Sequence, residues 1–270
     1  MKHTTKRISA LLLALTLLLT VMSGCGSTPP AAAGAPAAPT AAAAEVPAAE
    51  DPAAAPADAP VIEGLTFTEE SPLKYATVFR LFRYEGGYTL IRIDNGGDFL
   101  VVPEGAAVPA KMDSSVTVLQ QPLDKIYLAA TSAMSLFAAV DALDHIRLTG
   151  TRESGWYIDA AVEAMQRGDI EFAGKYSEPD YERLIDEECD LAIESTMIYH
   201  TPKVKEMIED LGIPVLVDRS SYEQHPLGRT EWIKLYAALV GKDAEAAEFF
   251  DQQAAIITQL EGFETVSYPH

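Results

Sequence analysis

Five short apolar runs between residues 125 and 218, "KIYLAA", "HIRLTG", "IEFAGK", "DLAIES" and "PVLVD", alternate with segments of helical spacing. Those segments include "SAMSLFAAVDAL", "YIDAAVEAMQRG", "YERLIDEE" and "PKVKEMIEDLG". Strand alternating with helix implies right-handed crossovers and a parallel sheet. The runs are apolar almost throughout, as strands covered on both faces must be. The expected fold is therefore α/β, a doubly wound, mostly parallel sheet. Upstream the period differs. Residues 74–103 alternate at period two between the turn signals "EGG" and "DNGG", which predicts a three-stranded antiparallel meander.

The ends assign the compartment. "MKHTTKR", then "ISALLLALTLLLTVM", then "MSGC" read as a signal peptide over 1–24. Its small residues ahead of Cys25 have the form of a lipoprotein processing site, with Cys25 the lipidated residue and the membrane held through that anchor. Residues 25–62 are an Ala/Pro-rich stretch with little to bury, expected to act as a tether. The remaining divisions are a β-meander extension over 63–112, the α/β binding lobe over 113–228, and connecting helices over 229–260. The formal charge is −20 and becomes more negative once Lys2, Lys6 and Arg7 leave with the leader. So acidic a body is repelled by phosphate backbones, which excludes nucleic acid as a partner. The only cysteines are Cys25 and Cys189. A lipidated Cys25 leaves no internal disulfide, and Cys189 reads as a small core residue.

In a doubly wound sheet, ligands sit outside the carboxyl ends of the strands. The loops there are 131–134, 149–157, 175–181, 194–202 and 219–229, each polar or aromatic. Candidate ligand-binding residues are Thr131, Ser132, Met134, Arg152, Trp156, Tyr157, Lys175, Tyr176, Thr196, Met197, Arg219, Ser220, Tyr222 and His225. Aromatic rings with a polar handle suit a flat or catecholate ligand, although some of them pack strand ends in any such sheet. Arg152, Lys175 and Arg219 suit an anion, unless Glu153, Glu178, Glu194 and Asp218 consume them in local ion pairs. His200, His225, Met134 and Met197 are possible metal or haem ligands, but no HxH, HExxH or CxxC spacing supports a metal site. No GxSxG elbow, Walker A loop or GxGxxG appears. Ser220, Ser221, Glu223 and His225 crowd one loop and cannot converge as a triad must. An enzyme is not expected; hydrolase remains a minor alternative.

The leader, the tether, the α/β lobe and "LGIPVLVDRSSYEQHPLGRTEWIKLYAALVGKDAEAAEFF" together resemble the helical-backbone (class III) substrate-binding lipoproteins of bacterial ABC importers. The resemblance runs over about 74–260. It implies delivery of a small metal chelate (a ferric siderophore, haem or cobalamin) to an importer permease. No resident cofactor is implied, since the iron complex or tetrapyrrole is cargo. It also implies that the helix from Asp243 to Leu260 connects two lobes, with the second lobe absent here and 261–270 a truncated or aberrant end. Glu182, opening the helix before "DLAIES", matches the acid with which the family docks on its permease. A surface-anchored structural or adhesive lipoprotein, or an inactive fragment, is the alternative reading.

Overall fold

The computed structural model describes residues 59–264, with side chains to residue 259. The signal peptide, Cys25, the tether up to residue 58 and residues 265–270 lie outside the described residues.

The expected meander is present and carries two more strands. β1 (Phe67–Glu70), β2 (Phe79–Tyr84), β3 (Thr89–Ile93), β4 (Gly97–Val102) and β5 (Val116–Gln120) lie side by side in chain order. The first four are antiparallel and β5 joins β4 in parallel. A parallel neighbour needs a crossover, so β5 has no tight turn to betray it in sequence. The first sheet thus reaches Gln120, beyond the expected boundary at 112. Residues 60–62, expected as the end of the tether, already pack on this sheet: the Tyr84 hydroxyl donates to the Pro60 carbonyl at 2.6 Å, and Ile62 is buried with Phe82, Tyr84 and Leu90.

All five apolar runs are strands of a second sheet. They are β6 (Ile126–Leu128), β7 (Ile146–Thr149), β8 (Glu171–Phe172), β11 (Leu191–Ser195) and β12 (Val215–Asp218), separated after β8 by a small hairpin, β9 (Gly174–Lys175) and β10 (Glu178–Pro179). The order is β12-β11-β6-β7-β8, every pair parallel. The chain moves outward from β6 to β8, then returns to the other side of β6. The switch point therefore lies between β6 and β11.

Among the described residues the α-helices are α1 (Thr131–Ala139), α2 (Asp159–Arg167), α3 (Tyr181–Asp186), α4 (Pro202–Asp210), α5 (Pro226–Glu231), α6 (Ile233–Val240) and α7 (Asp243–Glu264). Residues 219–229, expected as a loop, contain a 3-10 turn at Ser220–Tyr222 and the first residues of α5, which runs on to Glu231. Gly241, at φ 72°, ends α6 in the left-handed conformation that favours glycine, and α7 folds back along α6.

One face of the parallel sheet (Leu191, Ile193, Leu216) shares a core with α1, α2, α5–α7 and the inner face of the first sheet. Phe79 lies 5.1 Å from Trp232, and Phe137 5.2 Å from Tyr236, ring to ring. The opposite face (Ala192, Val215, Val217) packs on Leu184 of α3 and Ile208 of α4, with Cys189 buried among them. Burial pushes the Cys189 thiol up to about 12, which leaves it an inert core residue.

Candidate functional site

The strand-end loops do form one edge of the sheet, and the candidates divide by where their side chains sit. Three leave the site. Met134 is fully buried in the main core, because it lies on the inward stripe of α1 with Ala133 and Phe137. Trp156 is 9% exposed and packs in the same core, its Nε1 buried without a partner. His225 is the N-cap of α5: its Nδ1 accepts the Leu227 N–H at 3.1 Å and its ring stacks on Tyr75. That geometry leaves neither Met134 nor His225 as an axial ligand. Met197 and His200 stay exposed on the 3-10 turn Thr196–His200, where Thr196 is half-buried. Among the described residues no group of three or more His, Cys, Asp or Glu is placed to hold a metal ion.

Beyond β7 and β8 lies an open cleft of about 600 Å³, lined by Gly150, Thr151, Arg152, Phe172, Gly174, Lys175 and Glu178. The Arg152 guanidinium lies 4.2 Å over the Phe172 ring. Lys175 reaches Glu178 at 3.9 Å, with both side chains mostly in water. Tyr176 is half-buried, and Tyr157 stands 97% exposed.

On the other side of the switch point, α1 begins at Thr131 and Ser132, both exposed. Ser132 Oγ donates to Asp218 Oδ2 at 2.5 Å, and the Ser220 N–H donates to Asp218 Oδ1 at 2.6 Å. Ser220 is buried, and beneath it burial first, then the neighbouring Asp218 carboxylate, hold the Tyr236 phenol protonated. The Arg219 guanidinium carbon sits over the half-exposed Tyr222 ring, 4.4 Å from its centroid, with Nε buried and unpartnered.

The local ion pairs expected for these cations are mostly absent. Glu153 accepts from Gln166, and Asp218 is taken by the two serines. Arg80, Arg83, Arg92, Arg147, Arg167 and Arg183 all meet an acid. Among the described residues Arg152, Arg219 and Arg229 meet none, and the first two sit at strand carboxyl ends. Glu182 is exposed in the first turn of α3. The imagined triad is not assembled either, since Glu223 and His225 are spent on separate contacts.

Sequence reading did not place Glu223, Glu231 or Glu194 in the interior, and Glu231 went unnamed. Glu223, 2% exposed, accepts from the Thr77 N–H at 2.8 Å, the Val78 N–H at 3.1 Å, Thr77 Oγ1 and Trp232 Nε1. Glu231, fully buried, accepts from the N–H groups of Lys74, Tyr75 and Ala76 at 2.7 to 3.0 Å and from Lys234 Nζ at 2.7 Å. A signal for Glu231 existed: it interrupts the apolar series Leu227, Leu235 at helical spacing. Glu194, fully buried at the end of β11, has no partner on either oxygen. Strand alternation puts it on the face of Ala192, near Tyr127 and Tyr181, and burial pushes its pKa up to about 8.

Set beside known proteins, the chain matches no family model. It is 24% identical to an uncharacterised lipoprotein of Methanocaldococcus jannaschii, over 67% of this chain and 49% of that protein. The chain thus spans about half the length of the curated relative it matches. Similar solved structures include a possible iron-binding, periplasmic solute-binding protein of Staphylococcus epidermidis (17% identity, TM-score 0.42, 56% of this chain and 54% of that one). Another is a periplasmic haem-binding protein of Vibrio cholerae (18% identity, TM-score 0.40, 51% and 49%). A third is a TroA-like periplasmic binding protein of Veillonella parvula (15% identity, TM-score 0.44, 55% and 47%). Among the described residues no helix is long and apolar enough to cross a membrane.

Proposed function

We propose that this chain is a lipid-anchored, extracytoplasmic solute-binding protein that presents an anionic metal chelate or tetrapyrrole to an ABC importer. One observation carries the reading. On a chain of net charge −20, Arg152 and Arg219 stand without acid partners at strand carboxyl ends, each laid on an aromatic ring. An arginine held over a ring and not claimed by an acid keeps guanidinium N–H groups to offer to carboxylate or catecholate oxygens. Lys175 on the cleft and the exposed Tyr157, Tyr199 and Tyr222 add a cation and ring surfaces. The lipoprotein relative supports anchorage through Cys25. Glu182 supplies an exposed acid for permease docking. No bond-making step is part of this proposal.

The test is titration with ferric tris(2,3-dihydroxybenzoate) and with haemin, followed by absorbance and by the shift in melting temperature. Arg219→Glu is expected to weaken the better probe at least about tenfold, because a like charge replaces a charge-assisted donor. Unchanged affinity rejects the role of Arg219. If neither probe binds nor raises the melting temperature, the binding-protein reading falls.

A further inference from the structure

The first sheet, with its β1–β2 connection, touches the segment from Arg219 to Glu231 at four points. Glu231 holds the backbone of Lys74, Tyr75 and Ala76, and His225 stacks on Tyr75 at 4.5 Å. Glu223 holds the Thr77 and Val78 N–H groups. The fourth contact is at the β3–β4 turn. A Cβ placed at Gly96 would lie 2.5 Å from Ile93 Cγ2 and 3.4 Å from Arg219 Cδ, so the Arg219 stem passes within van der Waals range of this turn.

These contacts close a circuit. Glu223 Oε1 accepts the Val78 N–H at 3.1 Å, and the Val78 carbonyl accepts the Asp94 N–H at 2.9 Å. Asp94 opens the turn whose Gly96 backs Arg219, and Arg219 lies on Tyr222, the residue before Glu223. The Tyr222 N–H donates to the Arg219 carbonyl at 2.9 Å, and the Glu223 N–H to the Ser220 carbonyl at 3.1 Å, so the segment is closed on itself. Trp232 Nε1, at 3.0 Å from Glu223 Oε1, ties the same carboxylate to the main core.

We infer that Glu223 is a positioning residue: by tying the 219–223 segment to the first sheet, it holds Arg219 and Tyr222 in the arrangement that meets a ligand, and the first sheet serves as the platform for that arrangement. This rests on the strand-end edge being the ligand surface. Glu223 is 2% exposed, so its carboxylate is withdrawn from the surface of the edge. It acts through the two residues beside it, as an outer shell of hydrogen bonds orients a binding group.

The test is a double-mutant cycle on the full chain with Glu223→Gln, Arg219→Gln and the pair, probed with ferric tris(2,3-dihydroxybenzoate). A carboxamide at 223 still accepts from Trp232 but turns an N–H₂ toward Thr77. Glu223→Gln alone is expected to weaken the probe about tenfold, and to add nothing once Arg219 is already Gln, because coupled residues are not additive. Alongside, phenylglyoxal labelling of Arg219, read by peptide mass, is expected to run about fivefold faster in Glu223→Gln as the guanidinium leaves its ring, with Arg152 unchanged. Additive losses, or a labelling rate equal to wild type, overturn the inference and leave Glu223 a structural residue only. Faster labelling of Arg219 with no probe bound even by wild type keeps the positioning role and removes the ligand reading. Should circular dichroism show Glu223→Gln unfolded, Thr77→Val, which deletes only the hydroxyl donor to Glu223 Oε2, is expected to accelerate labelling in the same direction; no acceleration overturns the inference.

Discussion

Glu231 and Glu194 are both fully buried, and they live in opposite electrostatic worlds. At Glu231, burial pushes the pKa up, but the Lys234 ammonium and the N–H groups of Ala76, Lys74 and Tyr75 outweigh it, and the carboxyl ends below its ordinary value. At Glu194 burial acts alone, with no hydrogen bond to offset it, and the pKa climbs to about 8. The lesson is that burial does not decide whether an acid is charged; the supply of donors does. The region between the first sheet and α5 supplies donors in excess. The end of β11 supplies none among the described residues.

The largest effect that tests this contrast is at the saturated acid. Glu231→Ala strands three backbone N–H groups, one buried and two part-buried, and an ammonium, and is expected to cost about 3 kcal/mol, as breaking a largely buried ionic cluster does. Urea unfolding at neutral pH measures it, and a loss under about 1 kcal/mol would show that water replaces the carboxylate without strain.

Next comes the orphan. Below the ordinary value of 4.5, folded and unfolded chains both hold the Glu194 proton, and this group contributes no pH dependence. Between 4.5 and about 8 the unfolded chain releases the proton while the folded chain keeps it. Stability therefore falls as pH rises through that window, by about 1.4 kcal/mol per pH unit from this group. Glu194→Gln is expected to flatten that slope and to stabilise the chain most at pH 8. Equal slopes for the two proteins would place a donor beside Glu194 after all. Glu231 runs the other way: its folded pKa is lowered, so its contribution is present above 4.5 and is lost as the solution is acidified through the folded value.

The smallest effect is at the surface. Lys74 Nζ and Asp251 meet at 2.6 Å, but both are more than half exposed, and water screens them. Lys74→Ala is expected to leave the melting midpoint unchanged, although the Lys74 backbone N–H is one of the donors to Glu231. A measurable drop would mean that the side chain, and not the main chain, orders this segment.

The parallel sheet was legible because each of its strands is a compact apolar run, and burial on both faces writes itself into composition. β5 was not, since its alternation is short and its partner β4 is reached only through a crossover. For the site, sequence proximity to a strand end placed Arg152, Lys175, Arg219 and Tyr222 on the edge. It could not say which way a side chain turns, and so it put Met134 and Trp156 there too, although both face the core. Glu194 was counted among acids able to neutralise Arg219 or Lys175. Strand alternation sends it instead to the face with Tyr127. Glu223 and Glu231 escaped for a different reason. Their partners are main-chain amides about 150 residues upstream, and such partners leave no mark in a sequence.

That last point carries into descent. Because Glu231 reads only the N–H groups at 74, 75 and 76, its own contact asks nothing of the side chains there, proline excepted, although Tyr75 answers to His225 and Ala76 to the core. A comparison of relatives would then show a retained glutamate whose column covaries with none of the three it clasps, although several hydrogen bonds join them.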